Sequence, residues 1–317
     1  MTTEATRPSG EGAAGGATGP LAHDPISHVE SQTETHAESQ AEKARRLRAL
    51  HEAPGAFVIP NPWDIGSARL LAATGFKALA TSSAGYAFSR GVPDSAVGRE
   101  QMLVHLAEIA AATDLPVSAD LENGFGDAPE TAAQTIRLAA GAGVVGGSIE
   151  DATGRADDPI YPFELAVERV RAAVEAARAL PFPFTLTARA ENHLHGRDDL
   201  RDTIRRLQAY EEAGADVLYA PGLRSREDIA AVVSALTRPV NVLMGLQGAV
   251  LSVAELEALG VKRISVGGSL ARAAYGAFLR AAREMHDRGT FTYAADAVSH
   301  VEISELLSRA PRQTPAG

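Results

Sequence analysis

The chain has 317 residues, a formal net charge of −10, 45% hydrophobic and 5% aromatic residues, and no cysteine. That length suits one large domain or two ordinary ones, and the missing cysteines exclude disulfides, thiolate metal sites and a cysteine nucleophile or acid. The acidic balance, with no basic run, argues against a nucleic-acid partner; no apolar run nears the roughly 20 residues that span a bilayer, and no signal-peptide plan opens the chain, so it is read as cytoplasmic with no membrane partner.

Residues 1–38 are rich in Gly, Ala, Thr, Ser, Glu and His with almost no large apolar side chain, which predicts a disordered leader. From about Ser39 to His51 the spacing of Ala44, Leu47 and Leu50 predicts an amphipathic helix that ends before Pro54-Gly55. A short apolar strand, a polar turn and an Ala-rich helix then recur. Strands are expected at Phe57–Pro62, Ala78–Gly85, Pro116–Gly124, Val144–Asp151, Phe184–Asn192, Asp216–Gly222, Pro239–Gly245 and Arg263–Ser269, with a helix in each gap and a last one over Leu270–Arg288. Glycines such as Gly75, Gly143, Gly214 and Gly260 stand where these helices should stop. This is the count and size of an α/β (β/α)8 TIM barrel, one domain over residues 39–310 with terminal helices and a disordered tail at 311–317. A doubly wound sheet would want a glycine fingerprint after its first strand, and Asn61-Pro62-Trp63-Asp64 lacks one.

Barrel enzymes work at the C-terminal ends of their strands, and those ends are polar here. The third reads Asp120-Leu121-Glu122-Asn123-Gly124-Phe125-Gly126. Strand alternation puts Asp120 and Glu122 on one face, where two carboxylates call for a cation or a retained proton. Asp127 and Glu130 read as the N-cap and capping-box partner of the next helix. Glu150 follows on strand four, inward by parity, with Asp151 outward. Carboxylates without His or Cys suit Mg²⁺, or Mn²⁺, held by one or two direct ligands and otherwise through water, so Asp120, Glu122 and Glu150 are the metal candidates. Arg189, one strand further on, can clamp a substrate carboxylate or close the acid cluster as an ion pair. The turn Thr81-Ser82-Ser83-Ala84-Gly85 offers backbone N–H groups to an oxyanion. The only lysines, Lys43, Lys77 and Lys262, lie outside the barrel or at strand starts, which excludes a Schiff-base mechanism.

These residues resemble the isocitrate lyase and phosphoenolpyruvate mutase superfamily. Thr81-Ser82-Ser83-Ala84-Gly85 is similar to its Thr-Ser-Gly-Ala-Gly turn, Asp120 to Gly126 to its Asp-Ala-Asp-x-Gly-x-Gly strand end, Ile149-Glu150-Asp151 to its Ile-Glu-Asp, and Ala188-Arg189-Ala190-Glu191 to its Ala-Arg-Thr-Asp strand, over roughly residues 45 to 285. The resemblance implies a Mg²⁺-dependent barrel that acts on α-keto or α-hydroxy acids through enolate-like intermediates. It implies Asp120 as the main direct metal ligand, Glu122 and Glu150 acting largely through water, and Ser82, Ser83, Ala84 and Arg189 binding substrate. Asp94 matches the family's acid on the loop after strand two. The resemblance also implies a homo-oligomer, dimer or tetramer, that exchanges the helix after strand eight; Leu270–Arg288 and a tail helix near Val301–Leu307 are the segments concerned.

The departures choose among reactions. The loop after strand four, Ala152 to Tyr161, lacks both the cysteine motif of the isocitrate lyases and the lysine motifs of phosphonopyruvate enzymes. Pro221 stands for the family's strand-six Glu and Leu243 for its strand-seven Asn, with Asn241 two residues earlier on the same face. Asn192, His193 and His195 follow Arg189, and His193 is the candidate proton carrier. Arg155 and Tyr161 are candidates to close over substrate. The expectation is a carbon–carbon lyase or decarboxylase for a small 2-hydroxy or 2-keto dicarboxylate. The alternatives are a phosphorus–carbon bond enzyme and a catalytically weakened metabolite-binding barrel.

Overall fold

The computed structural model describes residues 39–245 and 250–309; the expected leader and tail lie outside them. Eight parallel strands, β1 (Phe57–Ile59), β2 (Leu79–Ala80), β3 (Val117–Asp120), β4 (Gly146–Glu150), β5 (Thr185–Arg189), β6 (Val217–Tyr219), β7 (Val240–Leu243) and β8 (Arg263–Ser265), run in the order β1-β8-β7-β6-β5-β4-β3-β2. The seam between β1 and β2 is bridged by the Ala80 N–H donating to the Pro60 carbonyl at 3.0 Å and by Asn61 Nδ2 donating to the Thr81 carbonyl at 2.9 Å. The chain is therefore a nearly closed (β/α)8 barrel.

Each strand is followed by helix: α2 (Ile65–Ala73), α3 (Ser83–Ser89) and α4 (Arg99–Ala111), α5 (Pro129–Gly141), α6 (Phe163–Arg178), α7 (Leu200–Glu212), α8 (Arg226–Ser234), α9 (Val253–Ala258) and α10 (Ser269–Arg288). Outward strand residues Val117, Ala119, Ile149, Leu186, Ala188, Leu218 and Ile264 join Leu106, Ile136, Val170 and Leu207 of these helices in the main core. The inward residues are small or polar: Ser118, Ser148, Thr185, Thr187, Asn241, Arg263 and Ser265 are all buried. The leading helix α1 (Gln40–Glu52) plugs the N-terminal end with Leu47, so close that a Cβ on Gly146 would lie 3.0 Å from Leu47 Cδ2. Its start is fixed by a capping box of Ser39 and Glu42. Lys43 and Lys262 are tied to backbone carbonyls of Thr113, and of Ala53 and Gly55.

Three local expectations need correction. β3 stops at Asp120, and Glu122 adopts a left-handed φ of 48°, so alternation does not carry Glu122 onto the face of Asp120. The small-residue turn after β2 opens a seven-residue helix, α3, capped by Ser82 Oγ accepting from the Gly85 N–H. Asp127 caps nothing: Pro129 at the first position of α5 moves the cap to Ala128, and Asp127 pairs with Arg155 and accepts from the Tyr161 hydroxyl at 2.6 Å.

Candidate active site

The strand tips open on a cavity of about 430 Å³ whose lining includes Ser82, Ser83, Ala84, Asp94, Asp120, Ser148, Arg189, Tyr219, Arg263 and Arg272. A second cavity on the far side of the acid cluster is lined by Glu122, Glu150 and His195 among others. Arg189 joins the two. Its Nη1 lies 3.0 Å from Asp120 Oδ1, its Nη2 3.1 Å from Glu150 Oε2 and its Nε 2.7 Å from Glu191 Oε1. The Tyr219 ring supports the guanidinium at 5.1 Å. The other oxygen of Asp120 accepts from both the N–H and the hydroxyl of Ser83, at 3.0 and 2.8 Å. The opening of α3 thus aims Asp120, and three carboxylates fix the fork of Arg189.

Acidic groups outnumber basic ones in this partly buried space. Asp94, Asp120, Glu122, Glu150 and Glu191 act electrostatically on one another with Arg189 as the cation among them. Burial first, then Asp120 and Asp94, push the Glu122 carboxyl up to about 8. Burial also raises Glu150 and Asp94, the latter helped by Asp120. Glu122 Oε1 is buried with no hydrogen-bond partner. A carboxylate oxygen with no hydrogen-bond partner among like charges fits a cation as its partner. Among the described residues, no three acidic or imidazole groups stand together at metal-ligating spacing, and Arg189 contacts both Asp120 and Glu150. The donor set therefore fits a hydrated Mg²⁺ with few direct ligands rather than an all-protein cage.

The remaining candidates fall elsewhere. Asn192 and His193 form a 3-10 turn, Asn192–His195, outside the mouth; Leu194 is the turn's contribution to the lining. Asn192 Nδ2 donates to Asp202 at 3.0 Å, and His193 lies against Gly222 with Nδ1 3.4 Å from Asp198. Asn241 sits within the barrel, its Nδ2 donating to Ser265 at 2.9 Å. Asp151, outward, accepts from the Glu191 N–H, Tyr210 and Arg206. Tyr161 is no lid: it is 1% exposed, with Arg169 4.3 Å above its ring. Sequence reading noted Glu191 only as part of the strand-five motif, without a role, and missed Tyr219 and Arg263. The alternation Arg263-Ile264-Ser265 carried a signal, because it turns a charged residue into a barrel interior.

Residues 47–286 match the sequence profile of the family described as phosphoenolpyruvate phosphomutase. A solved structure from Burkholderia cenocepacia J2315, named a "putative lyase/mutase", is 66% identical over 87% of this chain and 99% of its own, with a TM-score of 0.85. "Probable 2-methylisocitrate lyase 2" of Corynebacterium glutamicum is 29% identical over 276 residues, 84% of this chain and 88% of that one. A phosphonopyruvate hydrolase solved with oxalate and Mg²⁺ is 26% identical over 84% of this chain and 95% of its own, with a TM-score of 0.74.

Proposed function

This chain belongs to the phosphoenolpyruvate phosphomutase family, and from that premise we propose that it is a divalent-cation-dependent lyase or decarboxylase that breaks a carbon–carbon bond in a small 2-hydroxy or 2-oxo dicarboxylate. The observation that carries the reading is the cluster of carboxylates around Arg189, Glu191 buried, Asp120, Glu122 and Glu150 partly buried and Asp94 at the exposed rim, with Glu122 Oε1 unpartnered. Mg²⁺ or Mn²⁺, held by Asp120 directly and by Glu122 and Glu150 largely through water, would supply electrostatic stabilisation of the oxyanion that develops as the bond breaks.

The chain's own residues have separable tasks in this reading. Ser82, Ser83 and Ala84 bind and orient the substrate carboxylate at the rim, and Ser83 also keeps Asp120 aimed. Arg189 presents a cation whose position is fixed from three sides, so substrate meets it preorganised. Asp94, in the lining and with its pKa raised, holds and returns a proton at its carboxyl; His193, behind the mouth, takes no part in that transfer. Tyr219 remains a neutral phenol, burial lifting it to about 12.

The test is proton NMR of the protein with Mg²⁺ and a panel of 2-alkylmalates, methylisocitrate, isocitrate and oxaloacetate. Release of a 2-oxo acid from a carbon diacid, abolished by EDTA, is expected. Phosphorus–carbon cleavage is the second reading, favoured by the likeness to the phosphonopyruvate hydrolase. Phosphorus NMR on phosphonopyruvate distinguishes it: turnover of that compound alone would replace the first reading. Tight binding of a carbon diacid with no turnover would support a binding role. The site's completion by a second subunit through α10 is part of the same proposal, because Phe278 and Leu279 on that helix are 66% and 46% exposed.

A further inference from the structure

Below the acid cluster the barrel holds a second arginine that the proposed chemistry does not use. Arg263 on β8 is 4% exposed, yet it lines the mouth cavity. Its Nη1 donates to Thr187 Oγ1 at 3.1 Å across the barrel, and its Nε is buried with no partner. Among the described residues no carboxylate pairs with it; the titratable groups that interact with it electrostatically are Tyr219, Arg189 and, from α1, His51. Burial lowers its pKa only to about 10, so it is a cation at neutral pH. A buried guanidinium is ordinarily paired, since an unpaired buried charge is costly.

The contact with Thr187, not strand pairing, sets the Arg263 guanidinium below Arg189 at the rim. Arg263 is level with Asn241, and Ser265 with Leu243; Thr187 precedes Arg189 by two residues on β5. Two residues of strand amount to about 6.6 Å, which is comparable to the distance between the ends of a four-carbon diacid. Arg189 and Arg263 line one continuous cavity, whose wall includes the small residues Ala80, Ser148 and Ser265 beside Asn61 and Tyr219. The floor also offers an unpartnered acceptor, Asn241 Oδ1.

We propose that Arg263, with Thr187, is the floor subsite that receives the second carboxylate of the substrate, so that the enzyme selects diacids by length. This rests on the dicarboxylate reading above and deepens it: the rim binds the carboxylate next to the reacting carbon, and the floor binds the distal one. Pairing with that anion supplies the missing partner of the buried cation. A two-carbon diacid occupies the rim alone, and a four-carbon diacid reaches both.

The test is calorimetric titration of the full chain in Mg²⁺ with oxalate and with succinate, for wild type, Arg263→Met and Arg263→Lys. Expected are equal oxalate affinities throughout, succinate affinity at least tenfold weaker in Arg263→Met, and partial recovery in Arg263→Lys. Equal succinate affinity in wild type and Arg263→Met, or no succinate binding by wild type, overturns the floor subsite. Failure of wild type to bind oxalate in Mg²⁺ instead overturns the function proposed above. If Arg263→Met does not fold, a crystal of the wild-type protein soaked in succinate decides. A carboxylate within hydrogen-bond distance of the Arg263 guanidinium supports the subsite, and water alone at that position overturns it.

Discussion

At the residue scale the decisive feature is Glu122, an acid whose burial and acidic neighbours raise its pKa to about 8 and whose Oε1 has no partner. Its folded pKa lies above its ordinary 4.5, so the folded state keeps a proton that the unfolded state releases. The stability this contributes is fully present below pH 4.5 and is lost as pH rises through 8, by at most about 1.4 kcal/mol per pH unit. Glu122→Gln is uncharged at every pH and should remove that slope from metal-free unfolding curves. A bound cation reverses the preference by favouring the ionised form. Wild-type Tm at pH 8 should therefore rise on adding Mg²⁺, and the variant's should rise much less; equal responses would show that Glu122 does not face the metal. Asp120 and Glu150 were legible in the sequence because each stands at the tip of a predicted strand. The route of Glu122 was not, because its left-handed backbone is a choice made by the following Gly124 turn rather than by strand alternation.

At the scale of elements, that turn couples the site to the barrel wall. Gly124 has a φ of 80°, and a Cβ there would lie 3.0 Å from the Ala132 Cα in α5, while its carbonyl accepts from Thr135 at 2.8 Å. Gly124→Ala combines left-handed strain with a clash against backbone. Chemical denaturation should show a loss of about 2 kcal/mol or more, accompanied by weaker Mg²⁺ binding because the turn carries Glu122. A loss below about 0.5 kcal/mol would mean that α5 yields easily and that the turn is not rigid. The succession of strands and helices could be read from periodicity and from glycines at helix ends; Gly75, Gly143, Gly214 and Gly260 all have positive φ. The extra helix α3 and the cap of α5 could not. Ser83 opens a helix because its N–H and hydroxyl find Asp120, a contact between residues 37 apart, and Asp127 leaves its cap for Tyr161 and Arg155, which are distant in sequence. Tertiary partners decided both.

For the whole molecule, α10, a 3-10 turn over Thr292–Asp296 and α11 (His300–Arg309) carry a run of exposed apolar side chains, Phe278, Leu279, Met285, Phe291, Val298 and Val301. Such a run calls for a covering partner, and a second copy exchanging this helix is the occupant proposed. Light scattering after size exclusion should give a dimer or tetramer, and Phe278→Glu should shift it toward monomer and lower activity. A monomeric wild type at micromolar concentration would contradict the exchange.

The most direct test of the central claim is the carbon–carbon cleavage assay run in D₂O with Mg²⁺. The account predicts one solvent deuterium at the carbon that loses the broken bond, C3 of the 2-oxo acid when a 2-oxo diacid is decarboxylated and C2 of the companion carboxylate when a 2-hydroxy diacid is cleaved to a 2-oxo acid, as expected when an enolate collects its proton from solvent through an exchangeable group such as Asp94, and no product in EDTA. Absence of any 2-oxo acid from every carbon diacid, or product formation indifferent to EDTA, would contradict it.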